Sequence, residues 1–242
     1  MKTNFRLAFL IVLLLSCVSS TIGNARAQSS DKKPTEYFLF LTSGKSAKDV
    51  PSTELQAKQK AHVGNFGTLA KENKLSLAGP MGDPKQFLRG VILVNAPDVP
   101  TMEKYFDADP YVKEGFMKIE SNPIRERIGE PSVIVNPDGL EELRIVVWDY
   151  ATAEKKDRKI SDPALAEHVK HWQELQTTGR VGLICRFEKE APRFGIAILD
   201  SIPDKQIEEW LTTDPLVAQK LITYQLMPQY LSKGAITFPA RK

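Results

Sequence analysis

Residues of matching kind recur along this 242-residue chain at a nearly fixed distance. His62 is answered by His168, 106 residues on. Asp109-Pro110 is answered by Asp214-Pro215, 105 on, and Pro100 by Pro203, 103 on. The aromatic pair Tyr105-Phe106 is met by Trp210-Leu211. Near-constant offsets over such spans do not come from composition alone. They mark an internal duplication, in which each copy carries one supersecondary unit.

Both copies read as the same string of elements. In the first, residues 36–41 (EYFLFL) are aromatic and aliphatic and predict a strand. Ser52 or Thr53 is placed to cap a helix running to about Asn73, with Leu55, Ala61 or His62, Phe66, Leu69 and Ala70 at near-helical spacing. Residues 75–78 predict a short strand ended by Gly79-Pro80, and 90–95 (GVILVN) another. Asp98 with Pro100 opens a helix, since proline in a first turn removes no needed N–H. Asp109-Pro110 breaks or restarts it, and a last strand is expected near 117–121. The second copy repeats this with strands at 143–148, 180–187, 194–199 and near 224–228. Its helices start at Ser161-Asp162-Pro163 and at Pro203. The order β-α-β-β-α-β is ferredoxin-like.

The expected organisation is a linker at 28–35, a first unit at 36–125, a connector at 126–142, a second unit at 143–232 and a tail at 233–242. Residues 132–135 of the connector are open to a further strand. Helices cover only one face of such a sheet, so the other needs a partner. Two copies in one chain can cover each other, sheet against sheet. A monomer with pseudo-twofold pairing is expected, or a weak homodimer.

Lys2 and Arg6 precede an uncharged apolar run at 8–15, and Ala25-Arg26-Ala27 has the form of a processing site. That is the layout of a signal peptide covering 1–27, and the run is short for a membrane span of about 20 residues. A periplasmic or secreted protein is expected. Leu14-Leu15-Ser16-Cys17 also partly resembles a lipoprotein signal, which would anchor the chain through Cys17. Residues 1–27 hold three basic residues and no acid, so 30 basic and 30 acidic residues follow them. No basic block is left to hold nucleic acid. Cys185 would then be alone, and a lone cysteine packs as a small hydrophobe.

His62, Leu69 with Leu75, the Ala78-Gly79-Pro80 segment and Asp107-Ala108-Asp109-Pro110-Tyr111-Val112 together resemble the YCII-related family. The resemblance is clear over about 36–125 and weaker over 143–230. It implies an α+β chain whose two ferredoxin-like units pack as an intrachain dimeric α+β barrel. It also implies catalytic pairs of a first-helix histidine and an Asp-Pro aspartate: His62 with Asp109, and His168 with Asp214. The best-understood activity in the family resembles chloride elimination from a chlorinated hydroxyquinol. The implied function is thus general acid–base chemistry, lyase- or isomerase-like, on a small organic molecule, aromatic ones included. The alternatives are a non-catalytic ligand-binding module and an envelope protein that packs against a partner. Haem-handling oxygenases share the wider fold group, an analogy of fold only. The second copy departs from the pattern. Ile184-Cys185-Arg186 replaces Ala78-Gly79-Pro80, predicting a loop or a longer strand, and Thr212 replaces Asp107.

The residues leave several readings open. Imidazole titrates near neutrality and can move a proton in either direction. Asp109 and Asp214 can equally be helix caps, and a cap aspartate keeps a second oxygen for a histidine. His168 and His171 can share a metal if Glu167 or Asp214 adds a third ligand, yet Asn65 stands where His171 would repeat. No cofactor or resident metal is called for. Residues 79–83 can be a pocket-lining turn or a plain one. Cys185 can be a nucleophile or core. Tyr105, Phe106, Tyr111 and Phe116 can line a cleft or pack.

Overall fold

The computed structural model describes residues 35–133, 139–152, 154 and 159–239. The signal peptide, Cys17 and nearly all of the linker lie outside them. The first repeat contains β1 (Thr35–Ser43), α1 (Ser52–Lys71), β2 (Leu75–Pro80), β3 (Leu88–Ala96), α2 (Val99–Lys104), α3 (Pro110–Lys113) and β4 (Met117–Ile128). The second contains β5 (Leu140–Tyr150), α4 (Asp162–Thr177), β6 (Val181–Phe187), β7 (Gly195–Leu199), α5 (Asp204–Thr213), α6 (Pro215–Ala218) and β8 (Ile222–Ser232).

The strands form one eight-stranded sheet in the order β2-β3-β1-β4-β6-β7-β5-β8. The repeats join where β4 pairs antiparallel with β6. At the opposite edges Met81 bridges Gln229, and Gly82 N–H donates to the Pro228 carbonyl at 2.8 Å. The sheet therefore curls back toward itself as a pseudo-barrel, with helices outside. Side chains alternate across each strand. In β1, Phe38 and Phe40 point into the shared interior with Ile145 and Val147 of β5. Tyr37, Leu39 and Leu41 instead face the helices of their own repeat. Both faces of β1 are buried, which is why it reads as a continuous apolar run.

Four expectations change. Residues 126–128 are not connector: Glu126 pairs with Arg186 and Ile128 with Ile184, so they extend the seam between the repeats. β5 likewise starts at Leu140. Residues 132 and 133 are outside any strand, and 134 and 135 lie outside the described residues. Neither Ser52 nor Thr53 caps α1, because the helix begins one residue after Pro51 without a side-chain cap. Gly79-Pro80 continues β2 rather than turning. A Cβ at Gly79 would lie 2.0 Å from the Tyr230 carbonyl oxygen, so this glycine lets the first repeat approach β8 of the second. At the corresponding place β6 is the longer strand, ending at Phe187.

Candidate functional site

The side chain of Asp98 caps α2, accepting from Thr101 N–H at 2.8 Å, and five residues past that helix the chain reaches Asp109. Asp109 is fully buried and caps α3. Its Oδ1 accepts from Tyr111 N–H at 2.9 Å and Val112 N–H at 3.4 Å. Its Oδ2 accepts from His62 Nδ1–H at 2.6 Å. One carboxylate thus caps a helix with one oxygen and orients an imidazole with the other. Edge contacts with Phe66 at 4.4 Å and Tyr111 at 5.2 Å fix the ring. With Nδ1 engaged, Nε2 is the ring nitrogen left to a ligand.

His62 lines a cavity of about 500 Å³. Gln59, His62, Val63, Phe66, Gly67 and Ala70 of α1 face it, a stripe at the three- and four-residue spacing of one helix side. The floor is the β2–β3 edge, including Ala78, Gly79 and Gly90. Ser132, Val133, Leu140, Ser232 and Ala235 close the far side. The walls are mostly apolar; among the described residues they hold no Asp or Glu, and Arg89 is the one permanent cation. That mixture of apolar surface and few placed polar groups is typical of small-molecule sites.

The second repeat builds the same pair. His168 Nδ1–H donates to the Asp214 carboxylate, 2.8 Å from Oδ2 and 2.9 Å from Oδ1. Asp214 also caps α6 through Leu216 N–H and accepts from Trp172 Nε1–H at 2.7 Å. The cleft beside it is only about 20 Å³. Strand register explains the loss. Leu41 faces Gly90 as Trp148 faces Gly195, so Trp148 takes the place of Leu41. Gly79 faces Val91 as Cys185 faces Ile196, so Cys185 takes the place of Gly79 and Ile184 that of Ala78. Trp172 stands four residues after its histidine, as Phe66 does. Arg89 precedes Gly90 and accepts Met81 N–H; Phe194 precedes Gly195 and accepts Phe187 N–H. Trp148 and Phe194 pack edge-on against His168, each at 5.3 Å, and Trp172 against Trp148 at 4.7 Å. Larger apolar groups therefore occupy the space that the first repeat leaves open.

Burial works to raise the Asp214 pKa, but hydrogen bonds from His168, Trp172 and Leu216 and the His168 charge outweigh it. The carboxyl is held below its ordinary value of 3.8. A lowered folded-state pKa contributes stability that is present above the ordinary value and lost as pH falls through the lowered one. Urea midpoints of the wild type are expected to drop more between pH 5 and pH 2 than those of Asp214→Asn. Equal drops would show that this carboxylate carries no such linkage.

Other sequence-derived candidates fall elsewhere. Cys185 is fully buried, and burial drives its thiol far above the ordinary value, which suits core packing and not a nucleophile. His171 Nε2–H donates to the Trp210 carbonyl at 3.0 Å, and no three His, Cys, Asp or Glu side chains gather to hold a metal among the described residues. Tyr105, Phe106, Tyr111 and Phe116 do not line the cavity. Tyr105 hydrogen-bonds the Asn95 carbonyl, Tyr111 that of Leu55, and Phe116 lies under Lys45 Nζ at 4.3 Å. Arg89 and Phe66 are the lining residues with most chemical character. Only Phe66 stands out in the sequence, through its helical spacing.

These features define a dimeric α+β barrel closed within one chain. The model of the YCII-related domain family matches residues 37–126, the first repeat. The chain resembles a candidate monooxygenase from Fusobacterium nucleatum at 10% identity, covering 86% of this chain and 99% of that one with a TM-score of 0.51. A mutant chlorite dismutase from Candidatus Nitrospira defluvii is 9% identical, covering 83% and 92% with a TM-score of 0.53. A candidate chlorite dismutase gives 9% identity, 83% and 96%, and 0.51. Likeness at this level is one of fold alone. No curated protein matches the sequence.

Proposed function

We propose that the first repeat binds a small, largely apolar organic molecule and that His62, oriented by Asp109, moves a proton to or from it. The observation that carries this reading is an imidazole whose Nδ1 is bonded to a buried carboxylate while its ring lines a cavity of about 500 Å³. As base, Nε2 takes the proton, and Asp109 stabilises the imidazolium that forms. As acid, the same nitrogen returns the proton to the substrate or to a departing group. Elimination and isomerisation both need this exchange. The pair His168–Asp214 has the geometry without the room, so its role is structural.

Non-catalytic binding is the second reading. It is favoured by that same second pair, a His–Asp bond with almost no space beside it for a ligand. Small aromatic acids and ketones incubated with the protein in deuterated water separate the two. The enzyme reading expects deuterium incorporation or loss of a leaving group with at least one compound, abolished in His62→Gln. Ligands that bind the wild type but neither exchange nor react would leave the binding reading.

A further inference from the structure

We propose that Arg89 is the residue that selects the ligand, anchoring a carboxylate whose apolar body fills the cavity beside His62. This rests on the first-repeat cleft being a ligand site. Leu41 pairs with Gly90 and Thr42 with Leu88, so Arg89 is the extra residue of a β-bulge. Such a bulge re-aims a side chain, a device common beside active sites. The second repeat shows where a side chain at this backbone position goes. Phe194, its counterpart, packs against the dyad imidazole of His168 at 5.3 Å. Arg89 therefore starts from the equivalent place beside His62.

The guanidinium is prepared for an anion. Its Nη1 donates to Gln86 Oε1 at 2.6 Å, which fixes the head group and leaves Nε–H and Nη2–H, the two donors that meet a carboxylate side-on. Among the described residues no carboxylate pairs with Arg89 and none lines the cavity. An arginine at the edge of a mostly apolar pocket favours one anionic oxygen pair and penalises none of the apolar body. The mouth fits the same class of ligand. Val63, Val133 and Leu140 are exposed apolar side chains, at 54%, 42% and 53%, and all three line this cavity. In the second repeat the space is gone, and the arginine that borders the remnant, Arg186, is already paired with Glu126 at 2.6 Å.

Calorimetric titration with 2-naphthoate and its neutral counterpart 2-naphthamide tests the assignment on the wild type, Arg89→Gln and Arg89→Lys. The wild type is expected to prefer naphthoate at least tenfold. Arg89→Gln should lose that preference while binding naphthamide as before, and Arg89→Lys should keep part of it. Unchanged naphthamide binding also reports that the variant is folded. An equal preference in Arg89→Gln, or none in the wild type, overturns the role of Arg89 and leaves the cavity reading intact. Failure of both probes to bind the wild type overturns both.

Discussion

Truncation of Trp172 to alanine is expected to destabilise the protein by about 3–5 kcal/mol, the range for large aromatic side chains removed from a core. Truncation of Phe66, at the matching position, is expected to cost on the order of 1 kcal/mol, because partner atoms are missing on one side. Trp172 is 1% exposed, packs against Trp148 and donates to buried Asp214, so its loss opens a void and leaves a carboxylate oxygen short of a donor. Phe66 is half-buried and already borders the open cavity. Urea unfolding of both variants reads the difference directly. Equal losses would mean that the first cleft is packed like the second, and the division into one working cleft and one filled copy would fall.

Asp109→Asn is expected to leave the fold nearly intact and to slow any proton-transfer turnover by roughly 10²–10⁴-fold. Asparagine caps helices about as well as aspartate, so α3 keeps its start. The amide, however, offers an N–H as well as a carbonyl to His62. If it donates to Nδ1, the imidazole proton moves to Nε2 and the base is lost. Nitrogen chemical shifts of the ring distinguish the two tautomers. The matching change, Asp214→Asn, is expected to lower stability without touching turnover. Turnover that survives Asp109→Asn would remove the dyad from the mechanism.

The duplication was legible because histidine, Asp-Pro and proline recur at offsets near 105. That regularity, with the family resemblance, placed both His–Asp pairs, which the structure brings to hydrogen-bonding distance. The fate of the second cleft was not legible. Trp148 replaces Leu41 at an offset of 107, Trp172 replaces Phe66 at 106 and Phe194 replaces Arg89 at 105. Small shifts in loops and bulges hide such equivalences until strand register is known. The seam at 126–128 was hidden for a different reason. Its residues are Glu, Arg and Ile, polar enough to resemble a connector. In the fold Arg127 pairs with Glu36 at 2.9 Å and Arg186 with Glu126 at 2.6 Å across neighbouring strands. The far wall of the cavity comes from Ser132, Val133 and Leu140 and from Ser232 and Ala235, residues distant in sequence that no local periodicity connects.

The protein has three histidines, which makes the imidazole region of its nitrogen–proton correlation spectrum a direct readout of the whole account. Titration with 2-naphthoate is the measurement to make. The expected result is a saturable shift of the His62 ring signals, with those of His168 and His171 unmoved. Binding that shifts His168, or that leaves His62 still, would contradict the claim that the first repeat holds the working cleft and the second its filled copy.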